Sequence, residues 1–318
     1  MSNMIVSFAP HIRDRITTSR IMLDVIIALC PAFAAAVWIF GPRAALVTGV
    51  CVAACVFFEW AYEKMLKRKN TIGDCSAVLT GILLAYNLPV TIPIWQAIFG
   101  SFVAIIIVKQ LFGGLGKNFA NPAVTARIIM FLAFSNTMAM KEWSMPFFWK
   151  ETADVVSGAT PLVELLRLFK NDAYTLPSVR DLFLGVHGGC IGETSELALL
   201  IGFIYLLIRR VITPIIPLTF IGVVFALTAL AGGLDFGIYH IVSGGLFLGA
   251  IFCATDYVTS PITNFGRFLF GIGCALITVL IRLFGNYPEG VSFAILLMNI
   301  LVPFINKISY KKALGGKY

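Results

Sequence analysis

A few polar residues stand out in a very apolar chain. The first group is Asp154-Val155-Val156-Ser157-Gly158-Ala159-Thr160, followed by Pro161. Proline suits the first position of a helix, which makes Thr160 the natural N-cap. Leu162, Leu165, Leu166 and Phe169 follow at i, i+3, i+4 and i+7 and form one apolar face. A helix start offers free amide N–H groups and the positive end of a macrodipole, which together favour an anion. A phosphate on the Thr160 hydroxyl would sit over those amides. Gly158 and Ala159 would let a bulky group or a modifying enzyme approach the backbone. The plain alternative is a capped helix lying on a membrane or a partner.

The second group runs from Gly113 to Arg127. Gly113, Gly114 and Gly116 permit a tight backbone, and Asn118 and Asn121 supply amide donors and acceptors. Pro122 suits the first helical position behind Asn121 as cap. Arg127 then lies about a turn and a half inside an apolar span, where an ionisable residue is a functional candidate by default. The alternative is that the asparagines cap a helix and Arg127 pairs with a carbonyl or a lipid phosphate. The stretch is not a dinucleotide fingerprint, because its glycines read G-G-x-G and an apolar span follows in place of a βαβ unit. No catalytic side chain and no metal site is expected: the seven cysteines form no C-x-x-C pair, Cys51 and Cys55 alone share a helix face, and the three histidines are scattered.

These residues sit in a chain of 318 residues that is 59% hydrophobic and only 13% charged, against roughly 25% charged for ordinary soluble domains. Mean hydropathy is +0.91. This is the composition of an integral membrane protein, so the net charge of +8 is read as topology rather than as nucleic-acid binding. Arg13, Arg15 and Arg20 precede the first apolar run, which argues for an uncleaved anchor rather than a signal peptide. Apolar runs cover 21–40, 44–63, 75–87, 94–112 and 122–139, then 194–208, 211–231, 240–254, 265–284 and 291–306. The fold expected is all-α and polytopic, with about ten transmembrane helices. Its parts are an N-terminal segment 1–20, five spans over 21–139, a polar loop 140–190, five spans over 191–306 and a basic tail 307–318.

Two runs are short and end in breaks, Leu88-Pro89-Val90-Thr91-Ile92-Pro93 and Asp256-Tyr257-Val258-Thr259-Ser260-Pro261. These line up with one another. Gly81 aligns with Gly249, Leu111-Phe112-Gly113 with Leu283-Phe284-Gly285, and Val124-Thr125 with Val291-Ser292. With the N-terminus in the cytoplasm, sixteen of the 24 Lys and Arg residues are cytoplasmic, as the positive-inside rule requires. Both termini are then cytoplasmic and Thr160 is external. Five spans per half make the repeat inverted, with broken helices near the midplane. Asp24 and Glu59 lie near the cytoplasmic boundary and are expected to snorkel.

Gly113-Gly114-Leu115-Gly116-Lys117-Asn118-Phe119-Ala120-Asn121-Pro122-Ala123 resembles the Gly-Gly-x-Gly-x-Asn-x-x-Asn-Pro-Ala signature of the RnfD/NqrB family. The Asp154 to Thr160 stretch resembles that family's flavinylation motif, and Ala254-Thr255-Asp256 with Thr259-Ser260-Pro261 completes a match over essentially the whole chain. The length looks more like RnfD than NqrB. The resemblance implies a bacterial cytoplasmic-membrane complex that passes electrons between ferredoxin and NAD⁺ and couples them to Na⁺ or H⁺ movement. It implies FMN joined to Thr160 by a flavin transferase, a further riboflavin or other flavin, and Rnf partner subunits of the A, B, C, E and G types. Asn118, Asn121 and Arg127 are candidates for the second flavin, whose ring edge needs hydrogen bonds inside an apolar slot. The rival from another class is a small-solute channel or secondary transporter, which the inverted repeat fits equally well.

Overall fold

Ten apolar segments build the molecule, and their ends follow from local sequence. In the computed structural model, residues 17–68, 70–138, 160–169, 176–285 and 289–310 are described, with 143–144 and 157–158 described as backbone only. Asp154, Ala159, most of the 1–20 segment and most of the basic tail lie outside the described residues. α1 (Thr18–Phe40) is capped by Thr17, whose side chain accepts from the Arg20 N–H. It turns at Gly41, at φ 75°, into α2 (Pro42–Met65) with proline at its first position. Asp74 caps the short α3 (Ser76–Tyr86), accepting from the Ser76 N–H at 2.8 Å. α4 (Ile94–Gln110) follows the first break, and α5 (Pro122–Ala133) and α6 (Ser135–Met138) follow the glycine-rich turn.

The polar interval holds a two-residue antiparallel pairing, Trp143–Ser144 with Ser157–Gly158, then α7 (Pro161–Phe169) and α8 (Val179–Leu184). The second set is α9 (Glu196–Ile208), α10 (Ile215–Gly232), α11 (Leu234–Ile241), α12 (Leu246–Cys253), α13 (Asn264–Phe284) and α14 (Val291–Ser309). α11 and α12 form one span bent by 64°, starting earlier than the run at 240–254 suggests. The fifth helix is shorter than expected, closing at Ala133.

Two corresponding pairs of helices, α1 with α9 and α5 with α14, pack against each other and run antiparallel. Across α1 and α9, Tyr205 and Arg209 reach Asp24, while Gly202 is pressed against the Ala28 carbonyl further along. Across α5 and α14, Asn299 is level with Asn121 and Ser292 is level with Arg127. Antiparallel pairing of equivalent elements is the geometry of an inverted repeat. α3 packs on α1 and α5 as α12 packs on α9 and α14.

Backbone freed at the breaks must be satisfied internally at membrane depth. Arg43 donates to the Val90 carbonyl at 2.9 Å and to those of Thr91 and Ile92 at 3.4 Å. The Ile191 and Gly192 N–H groups donate to Leu88 and Tyr86. At the second break Arg267 donates to Pro261, and Asn306 accepts from the Ile262 N–H. Two helices also widen by one residue per turn: the last eight residues of α4, Val103–Gln110, and Gly249–Cys253 of α12 are π-wound.

Two expectations are corrected. Asp24 and Glu59 do not snorkel. Asp24 is 8% exposed and bridges α1 to α9 through Tyr205 and Arg209. Glu59 is 1% exposed and accepts from Lys109 Nζ at 2.8 and 2.9 Å and from Gln110 Nε2 at 2.9 Å. Lys109 and Gln110, adjacent in sequence at the end of the π-wound turns of α4, both reach this carboxylate.

Candidate functional site

Thr160 is the N-cap of α7, as its proline neighbour predicts. Its carbonyl accepts from the N–H groups of Val163 at 3.0 Å and Glu164 at 3.3 Å. The residue is half-buried. Pro161 has no N–H to offer, so the Leu162 amide is the first donor of the helix. The apolar face of α7 does not lie free. Leu165 is fully buried, Leu162 meets the turn at Gly244, and Phe169 stacks on Phe236 of α11 with ring centroids 5.9 Å apart. α7 is therefore docked on α11 and α13, which fixes Thr160 at one end of the bundle. Ser157 and Gly158 precede it in the short strand pairing.

Beneath that end lies a buried ionic cluster. Arg127 Nη1 donates to Glu289 Oε1 and to Ser292 Oγ, and its Nη2 pairs with Glu289 Oε2. Glu193 Oε2 lies 3.9 Å from the same guanidinium, and Glu193 Oε1 accepts from the Cys190 N–H at 3.1 Å. Arg282 is 2% exposed and donates to the carbonyls of His240 at 2.6 Å and Ser243 at 3.1 Å. Arg127 thus pairs with a carboxylate of the other half, 162 residues away, rather than with a carbonyl or a lipid.

At the opposite end, Asn118 and Asn121 line a cavity between the two halves with Ser76, Thr80, Lys109, Thr255 and Asp256. Its free volume is about 80 Å³, room for a few water molecules. It adjoins a wider polar mouth of about 390 Å³ bordered by Arg20, Asp24, Arg209, Arg210 and Tyr257. Asn121 caps α5, accepting from Ala123 and Val124, and donates across the halves to the Cys253 carbonyl at 3.2 Å. Asn118 donates to Ala120 at 3.0 Å. The structure therefore brings Asn118 and Asn121 together and leaves Arg127 elsewhere. Asp256 accepts from the Val258 N–H and the Thr259 hydroxyl.

The sequence reading missed Glu193, Glu289, Arg282 and the Glu59–Lys109 pair. A signal existed in each case, since every one of them is a charge within or at the edge of an apolar run. What it lacked was the partner. Among the described residues, no three or more metal-ligating side chains come together.

Taken together, the fold and these sites define a polytopic membrane protein of the inverted-repeat class. The model of the NQR2, RnfD, RnfE family matches residues 5–315, and the chain belongs to that family. It is 46% identical over 315 residues to the D-type subunit of the Na(+)-translocating ferredoxin:NAD(+) oxidoreductase complex of Acetobacterium woodii, covering 98% of this chain and 96% of the other. It is 42% identical to the D-type subunit of the ion-translocating oxidoreductase complex of Stutzerimonas stutzeri, covering 95% and 93%. It is 39% identical to the D-type subunit of the proton-translocating ferredoxin:NAD(+) oxidoreductase complex of Clostridium ljungdahlii, covering 98% and 96%.

Proposed function

We propose that this protein is the flavin-carrying, D-type membrane subunit of an ion-translocating ferredoxin:NAD⁺ oxidoreductase complex, with FMN joined to Thr160 through a phosphoester. The names of the relatives support the complex. The observation that carries the attachment is Thr160 itself, a half-buried N-cap at the head of a docked helix. An ester phosphate there would meet the Leu162 N–H and the positive end of α7. The residues present fit that group. Bound FMN would supply the electron transfer, and the protein supplies position and electrostatics. α7, fixed by Leu162, Leu165 and Phe169, holds the attachment point to the bundle. The chain does no chemistry alone and relies on the other Rnf subunits as donors and acceptors, and on a flavin transferase during maturation.

The same proposal places both termini in the cytoplasm and Thr160 outside. Arg20, Lys64, Lys67, Arg209, Arg210 and Arg267 all fall at the end of the bundle opposite Thr160, which supports that orientation. The coupled ion is Na⁺ or H⁺. A second flavin held by Asn118, Asn121 and Arg127 together does not fit. Arg127 is committed to Glu289, and the Asn121 amide is spent on the cap and on Cys253.

The test is ultraviolet fluorescence of the denatured chain in an SDS gel after co-expression with a flavin transferase. A fluorescent band that is lost in Thr160→Val supports the attachment. A dark band, under conditions that flavinylate a control protein, overturns it and favours a transporter in which Thr160 is only a cap.

A further inference from the structure

Glu193 and Glu289 come from different links, the one before α9 and the one before α14, yet they converge on a single point. A Cβ on Gly245 would lie 2.6 Å from Glu193 Oε2 and 2.8 Å from Glu289 Oε1. The two carboxyl groups therefore face one another across a single point at Gly245. Arg127 serves them unequally. It grips both oxygens of Glu289, while Glu193 Oε2 is 3.9 Å away and has no hydrogen-bond donor among the described residues, although the Glu193 side chain is only 7% exposed. An ionised Glu193 would leave a buried charged oxygen unpartnered, which is costly. A protonated Glu193 would instead have an O–H to give to Glu289. Two carboxyl groups this close do not both ionise readily.

We propose that Glu193 and Glu289 share one proton and form, with Arg127, a proton-binding site that joins the two halves of the repeat beneath Thr160.

Among the described residues, the remaining charged and titratable neighbours are Cys190 from the link itself, Glu196 from the head of α9, and Arg282 from α13. Neither oxygen of buried Glu196 has a partner either, so it adds no donor that could hold Glu193 ionised. The two terminal nitrogens of Arg282 donate to the His240 and Ser243 carbonyls, and its Nε, which has no partner among the described residues, makes no bond to Glu193. Burial and the neighbouring Glu289 charge raise Glu193 to about 7, against the pull of Arg127. Burial alone would raise Glu289 too, but the Arg127 guanidinium and the Arg282 charge together bring it below its ordinary value. Glu289, with a side chain 19% exposed, is the member through which the proton reaches solvent.

The site is placed to report on the link between the halves. Arg127 lies on α5 of the first set, and the turn that carries Glu193 is bonded through Ile191 and Gly192 to the first break at Leu88 and Tyr86. When the proton leaves the pair for water, the pair gains one negative charge. Arg127 must then be shared between two carboxylates instead of held by one. This does not depend on flavin at Thr160.

The experiment is infrared difference spectroscopy of the full-length protein in nanodiscs, titrated from about pH 5 to about pH 9, on either side of neutrality and above the ordinary carboxylate range. The native protein should lose a protonated-carboxyl C=O band across neutrality, and Glu193→Gln should lack that titrating band. In Glu289→Gln, Arg127 is released to Glu193 and the like charge is gone, so the same band should titrate at least about one pH unit lower. The proposal is overturned if the native protein shows no band titrating near neutrality. It is equally overturned if the band persists in Glu193→Gln or its midpoint is unmoved in Glu289→Gln. The last arm stands even if Glu193→Gln fails to fold.

Discussion

Replacing Lys109 by methionine isolates what holds the first set of helices together at the end opposite Thr160. Lys109 and Glu59 are 2% and 1% exposed, and the ammonium contacts both carboxylate oxygens, at 2.8 and 2.9 Å. It also donates to Ser76 Oγ at 2.6 Å, so one side chain ties α4 to α2 and α3. Without it, Glu59 keeps Gln110 and the weak Thr71 contact at 3.4 Å, and no cation is bonded to it. Stranding one member of a buried pair costs about 3–5 kcal/mol, because the remaining charge stays desolvated. Lys109→Met should therefore destabilise by about that amount. Removing the carboxylate charge as well, in Lys109→Met/Glu59→Gln, should recover at least about 2 kcal/mol of it, the size of coupling expected between residues in one network. Equilibrium unfolding of the purified protein in mixed micelles of rising SDS content gives both values. A loss below about 1 kcal/mol for Lys109→Met, or additive losses in the double variant, would refute the view that this pair is a buried, mutually dependent ion pair.

Other expectations follow from single contacts. Gly81 lies against α2, where a Cβ would come within 2.7 Å of the Val52 Cα. Backbone cannot yield there, so Gly81→Leu should cost about 1–3 kcal/mol or more and lower the yield of monodisperse protein in detergent. Asn121→Ala removes the α5 cap and the bond to Cys253. It should cost about 1–2 kcal/mol in unfolding experiments and leave any in-gel flavin fluorescence at Thr160 unchanged. His187 is 3% exposed, and burial lowers it from 6.5 to about 4. The unfolded chain then binds more protons between those values, so this residue's contribution to stability is complete above about pH 6.5 and falls by about 3 kcal/mol as pH drops toward 4. The difference between native protein and His187→Phe should carry that slope; a difference flat from about pH 7 to about pH 4 would remove His187 as its source.

Much was determined by the sequence alone. Apolar runs located ten helical segments, of which five, or six with the bent α11–α12 pair, are long and apolar enough to cross a bilayer core. Local chemistry fixed several ends: Asn121 ahead of Pro122 caps α5, and Thr160 ahead of Pro161 caps α7. The matched breaks at 88–93 and 256–261 and the charge bias marked two halves in opposite orientation, which the antiparallel pairing of α1 with α9 and of α5 with α14 agrees with. The glycine–asparagine signature placed the chain in its family. Only the tertiary structure decided which charges meet. Glu59 finds Lys109 at 50 residues' separation, and Arg127 finds Glu289 at 162. The sequence reading sent Asp24 and Glu59 to solvent because insertion costs penalise an isolated charge, and the partner that offsets the cost lies on another helix. The same reason separated Arg127 from Asn118 and Asn121. They are near in sequence, but Asn121 stands at the head of α5 and Arg127 further along it, so the guanidinium reaches toward the Thr160 end while the amides face the opposite cavity. Periodicity and capping are local and can be read along a chain. The pairing of buried charges depends on how helices cross, and packing alone settles that.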